Sequence, residues 1–234
     1  MRFLQSTIGL KILMAFTGII LVGFVLVHML GNLQIFIPFQ GISGEAAIDK
    51  YGYLLKSNAV VLWGARSVLL GAIVGHIFAA VKLTNRSNAA RPRKYELHRW
   101  FSDSYAVRTM RWGGVLVLLF VIYHLLHFTV GVDAALFTEV KHCGPLEGGA
   151  ANTCFVRENV IRGFQQPLIS GFYMIAQVAL GLHLTHGVWS LFRTLGFTSQ
   201  QWSERSRILA MSIGGLITLG NIAIPLSILM GIIK

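Results

Sequence analysis

The chain has 234 residues, of which 54% are hydrophobic and only 12% charged, against roughly a quarter charged in an ordinary soluble domain. That balance excludes a water-exposed globular surface for most of the chain and points to lipid. The formal net charge of +11 would suit a nucleic-acid binder if the basic residues formed one patch, but they sort by loop, which is a signature of membrane topology and needs no nucleic-acid partner.

Five apolar stretches follow one another at 12–37, 59–82, 112–131, 167–192 and 208–232, each about the 20 residues a helix needs to cross the hydrocarbon layer. Barrel strands would alternate with period two, whereas 113–120 and 208–224 are apolar on all sides. The first stretch is too long for a cleavable signal and no small-residue cleavage site follows it, so it is expected to stay as a helix.

Arg2 and Lys11 precede the first stretch, and the second connection holds Lys82, Arg86, Arg91, Arg93, Lys94, Arg99, Arg108 and Arg111 against Glu96 and Asp103. Arg193, Arg205 and Arg207 against Glu204 follow the fourth. On the other side Lys50 and Lys56 are balanced by Glu45 and Asp49, and Lys141, Arg157 and Arg162 by Asp133, Glu139, Glu147 and Glu158. The positive-inside rule then sets the N-terminus in the cytoplasm and the C-terminus outside. The expected fold is an all-α integral membrane bundle of five transmembrane helices forming one domain over 1–234.

Between the spans, 41–58 and 84–108 each have room for a short surface helix, and 46–56 carries apolar residues at helical spacing. Pro167 suits the first turn of the fourth helix, while Pro225 is expected to kink the fifth. Cys143 and Cys154 both fall in the outer loop before the fourth helix. An oxidising exterior permits a disulfide between them, subject to a Cα separation that sequence does not supply. With no C-x-x-C-H run, they are not haem-attachment cysteines.

Of eight histidines, those at 28, 76, 124, 127, 183 and 186 lie inside the predicted spans. An ionisable side chain in a membrane helix marks a functional site by default, although a single one could serve as interhelical glue. Four helices each carrying at least one point to a cofactor, and neutral imidazole in a bundle core is a good iron ligand. Counting about 1.5 Å per residue from the helix ends, His28 and His124 lie roughly 18–24 Å from the cytoplasmic edge, and His76 and His183 roughly 10–15 Å from it. Two pairs result, an outer and an inner, each able to hold one planar haem from both faces and leave no open iron position. Such an iron suits electron transfer, not oxygen chemistry.

His127 and His186 share a helix face with His124 and His183, so they compete for the metal, support it through a propionate or quinone contact, or simply join helices. His98 and His142 read as surface residues. Gly23, Gly31, Gly71, Gly75, Gly113, Gly114, Gly181 and Gly187 flank the histidine positions and would let a macrocycle, or merely another helix, approach the backbone.

Over essentially the whole chain these residues resemble the single-chain dihaem cytochrome b membrane subunit of succinate dehydrogenases and fumarate reductases. The clearest local match is the run from Gly181 through His183, His186, Gly187 and Trp189 to Ser190, followed by Leu-Phe-Arg-Thr-Leu-Gly. In the family pattern the ligand stands four residues before the Gly of Gly-x-Trp, which is His183, and a glycine stands ten residues before the third-helix ligand, as Gly114 does before His124. His28 in Val-His-Met-Leu-Gly-Asn and His76 in Gly-His-Ile-Phe fit the first two helices. The family pairs helix one with three and two with four, as the depth count does.

The resemblance implies two haem b groups, a flavoprotein partner that oxidises succinate, and an iron-sulfur subunit docked on the cytoplasmic face. It also implies membrane quinone, such as menaquinone, as redox partner, and a bacterial cytoplasmic membrane as location. His127, His186 and the cysteine-bearing loop depart from the pattern. With no Glu or Asp inside a predicted span, the residues expected near an outer quinone are His28, His124, His127, Asn32, Gln34 and Arg66; His186 is a further candidate for a supporting or quinone contact, and an inner quinone site near the docking face is the alternative. Two other classes compete: a dihaem cytochrome b serving another quinone-linked dehydrogenase, and a haem-free anchor or transporter.

Overall fold

The structure, a computed structural model, describes residues 5–37, 46–90, 105–132, 138–145 and 152–234. Seven helices are set out: α1 (Thr7–Asn32), α2 (Ala47–Ser57), α3 (Ala59–Ala89), α4 (Tyr105–His124), α5 (Val156–Phe164), α6 (Pro167–Thr194) and α7 (Gln200–Leu229). Five stretches built on α1, α3, α4, α6 and α7 are long and apolar enough to cross a membrane. Large apolar side chains such as Leu70, Ile175 and Leu219 stand exposed along them, which water would penalise and lipid does not. This is the build of a multi-pass membrane protein.

Polar side chains start the spans as capping chemistry requires. Ser6 Oγ accepts from the Gly9 N–H at 2.9 Å, and Asn58 Oδ1 accepts from those of Val60 and Val61 at 3.0 and 3.2 Å, supplying acceptors for N–H groups that have no partner within the helix. Pro167 occupies the first turn of α6. The spans overrun their apolar cores: α3 continues to Ala89 and α7 begins at Gln200, because a helix need not stop at the lipid boundary. Pro225 is buried within α7, which stays helical past it to Leu229.

The main packed pairs are α6 with α7, α1 with α3, and α4 with α6. Gly181 and Gly214 let α6 and α7 meet at backbone distance, Thr218 standing over the first and Thr185 over the second. By contrast α1 and α4 are not packed along their length, nor are α3 and α6. These are the helix pairs whose histidines face each other.

One end of the bundle is roofed. The 3-10 turn Leu33–Phe36, α2 and α5 pack over it with Phe164, Ile169, Tyr173, Ile224 and Ile228 in one core. Tyr51 of α2 lies on Gly31 of α1, where any side chain would collide with its ring. Asp49 Oδ1 accepts the Arg157 N–H at 2.8 Å, joining α2 to α5. A two-residue bridge pairs β1 (Gly144–Pro145) with β2 (Asn152–Thr153), and beside it Cys143 and Cys154 form a disulfide with Cα atoms 4.0 Å apart. Asn159 holds the backbone N–H and C=O of Lys141, each at 2.8 Å.

At the other end Arg86 donates to Thr7 and to the Gln5 carbonyl, and Arg111 to Asn88, so basic side chains tie α3 to α1 and α4. The helix expected in 46–56 is α2; the stretch from 91 to 104, with His98 and most of the basic loop, lies outside the described residues.

Candidate cofactor site

His28 of α1 faces His124 of α4 with ring centroids 5.8 Å apart and planes at 81°. His76 of α3 faces His183 of α6 at 6.5 Å and 63°. Imidazole nitrogen binds first-row metals at about 2 Å, so two imidazoles on opposite sides of one metal have centroids about 6 Å apart. Both pairs have that spacing, and they join helices that otherwise stand apart. The residues present fit a planar group with a metal at its centre.

The two pairs lie at different levels. Gly18, ten residues before His28 on α1, lies against His76, and Gly114, ten before His124 on α4, lies against His183. Ten residues of helix rise about 15 Å, which is therefore the axial separation of the levels. Gly114 was singled out in the sequence; Gly18 was missed, although its spacing to His28 repeats that of Gly114 to His124.

Hydrogen bonds orient part of the set. Thr17 Oγ1 lies 2.8 Å from the Leu13 carbonyl and 3.1 Å from His76 Nδ1. Its single proton donates to the carbonyl, so it accepts from a protonated Nδ1, which leaves the lone pair of His76 on Nε2 for a metal. Thr17 is buried and is the one polar side chain between Lys11 and His28, the signal by which sequence could have found it. His124 Nδ1 lies 3.4 Å from the Tyr173 hydroxyl. His183 Nδ1 is buried without a partner among the described residues. At His28 the Asn32 amide stands 3.1 Å from Nε2, so a metal on that nitrogen requires the amide to turn away.

His127 has another character. It is fully buried, its Nδ1 lies 3.0 Å from Tyr173 Oη and its Nε2 2.9 Å from Thr138 Oγ1. Both nitrogens have partners, so it is not poised as a ligand. The segment Leu125–Val130 is a π turn closed by Gly131 in the left-handed region at φ 70°, and His124 and His127 both reach the Tyr173 hydroxyl.

His186, one turn beyond His183, is half-buried, and neither its Nδ1 nor Trp189 Nε1 has a partner among the described residues. The Arg193 guanidinium stands 5.1 Å from the centre of the Trp189 ring. Gln34 lies in the 3-10 turn after α1. Arg66 stands 5.0 Å over Trp63, a ring that is 62% exposed; its contact is thus with an aromatic on the lipid side rather than with a histidine. His142 is exposed beside the disulfide.

Comparison with protein-family profiles, curated proteins and solved structures returned no match. The geometry and the sequence pattern carry the functional argument alone.

Proposed function

We propose that this chain is the dihaem cytochrome b subunit of a succinate:quinone oxidoreductase, the membrane anchor that passes electrons between an iron-sulfur subunit and membrane quinone. The observation that carries the reading is the two pairs of facing imidazoles on four different helices, at two levels about 15 Å apart by helix rise. Haem supplies one-electron redox chemistry when bound. His28 and His124 would hold the outer group, and His76 and His183 the inner. Thr17 keeps His76 in the tautomer a metal needs, and Gly18 and Gly114 leave room for the ring beside the inner pair.

The basic end faces the cytoplasm in this reading and receives the iron-sulfur subunit, while dicarboxylate chemistry belongs to a partner flavoprotein. The roofed end lies outside the bacterial cytoplasmic membrane, consistent with its disulfide. Quinone, such as menaquinone, reacts toward that side, near His28, Asn32, Gln34 and Arg66. A second haem beyond the docking face has a use only if electrons leave there.

A reduced-minus-oxidised optical spectrum of the purified chain tests the reading. Low-spin b-type bands with two haems per chain are expected, and copurifying flavoprotein and iron-sulfur subunits distinguish this complex from another dehydrogenase. A chain without haem would instead be an anchor or transporter whose histidines only join helices.

A further inference from the structure

The hydroxyl of Tyr173 lies between two histidines of α4 and its π turn, 3.0 Å from His127 Nδ1 and 3.4 Å from His124 Nδ1. His127 in turn reaches Thr138 Oγ1 through Nε2 at 2.9 Å. We propose that Tyr173 and His127 act as positioning residues, fixing the tautomer and ring orientation of His124 and raising its basicity toward the outer haem. This inference rests on the dihaem reading above.

The protons can be ordered. A metal on His124 Nε2 requires the proton of that ring on Nδ1, where Tyr173 Oη is its acceptor. The Tyr173 proton must then donate to His127 Nδ1, which leaves the His127 proton on Nε2, donating to Thr138. The reverse sense would put a proton on His124 Nε2 and forbid the metal. Each donor and acceptor in the chain is used once, as the side-chain inventory allows.

Packing makes the arrangement stiff. Tyr173 is 5% exposed and His127 fully buried, in a cluster with Phe120, Phe128 and Phe164 whose rings lie 4.9–5.9 Å from that of Tyr173. Gly163 of α5 closes the other side, since a Cβ there would come within 3.2 Å of the His127 ring. A phenylalanine would fill such a place without the cost of burying an imidazole. The imidazole instead holds the Tyr173 oxygen at an ordinary hydrogen-bond distance, while the longer contact to His124 is the one a bound metal would tighten, because it makes the Nδ1 proton more acidic. A ligand histidine that donates its second N–H becomes a stronger base, which favours the oxidised metal.

The test is a potentiometric titration of both haems, with electron paramagnetic resonance of the low-spin signals, in the intact complex. Tyr173→Phe should keep two haems and move one of them to higher potential, leaving the other unchanged. His127→Leu should move the same haem in the same direction by less, because Tyr173 still accepts. His127→Gln, which can accept from Tyr173, should restore most of the wild-type value. In the double variant Y173F/H127L the shift should equal that of Tyr173→Phe alone, since the second residue acts through the first.

An unmoved potential in Tyr173→Phe with both haems present would overturn the proposal, as would additive shifts in the double variant. Loss of one haem in His127→Leu but retention in Tyr173→Phe would overturn it differently, by making His127 a ligand. A wild-type chain without haem would instead remove the proposed function, and this inference with it.

Discussion

Gly18 and His76, on neighbouring helices, are in contact: a Cβ on Gly18 would stand 3.6 Å from Cε1 of the His76 ring, and Gly114 stands in the same relation to His183 at 3.5 Å. Each imidazole of the inner pair therefore has a glycine beside it on a helix that carries a histidine of the outer pair. One added methyl meets ordinary van der Waals contact, whereas the further methyls of a branched side chain would press on the imidazole. Gly18→Val and Gly114→Val should each lower haem content from two per chain toward one, measured by pyridine haemochrome, while the corresponding alanine variants keep two.

The ligand assignment makes a sharper separation among the histidines. His76→Ala or His183→Ala should lose the inner haem and His28→Ala or His124→Ala the outer, whereas His127→Ala and His186→Ala should each retain two. Haem counts per chain together with the split of the reduced spectrum decide between the sets, and an H76A chain that still holds two haems would end this assignment.

Thr17→Val removes the acceptor that holds the proton on His76 Nδ1 without changing side-chain volume by much. Loss of such an outer partner typically weakens a metal site about 10–100-fold. The expected result is an inner haem that is present but is extracted or exchanged more readily, with the outer haem unaffected.

The basic end should govern assembly. Charge reversal at Arg91, Arg93 and Arg99, outside the described residues, should weaken association with the iron-sulfur subunit most at low salt, the difference from wild type shrinking as salt screens the charges. The segment from Arg193 to Arg207 should contribute to the same surface. Full assembly and turnover in the triple variant would confine those charges to topology.

Outward electron flow across a membrane that is negative inside releases about 2.3 kcal/mol per electron for each 100 mV traversed. Succinate-to-quinone turnover in sealed vesicles should therefore slow when the potential is collapsed, and Arg66→Ala should reduce turnover without changing haem content. Turnover indifferent to the potential would move the quinone to the inner side and leave both haem pairs as they are.

The five long helices were legible because lipid demands continuous apolar length, and the histidine pairs because depth follows from rise per residue once direction alternates. The cap was only half legible. α2 carries its apolar residues at helical spacing, but α5 is nine residues, Val156–Phe164, and its buried face has meaning only against α2, α6 and α7. The π turn after His124 has no mark in the local sequence. The partners of His76 and His124, Thr17 and Tyr173, come from other helices. Hydropathy cannot phase helices that are apolar nearly all round, and it is phase that decides which hydroxyl meets which ring.

Asp49 and the Arg157 amide that it binds are separated by 108 residues in sequence. At a synthesis rate of about 5–20 residues per second, α2 therefore waits roughly 5–20 seconds for the helix that completes the roof above His28 and His124. The facing pair itself exists only once His124 has been made, 33 residues before Arg157, so it stands without its roof for roughly 2–7 seconds of synthesis. The roof is thus completed only after α1, α3 and α4, which it joins or covers, have been made.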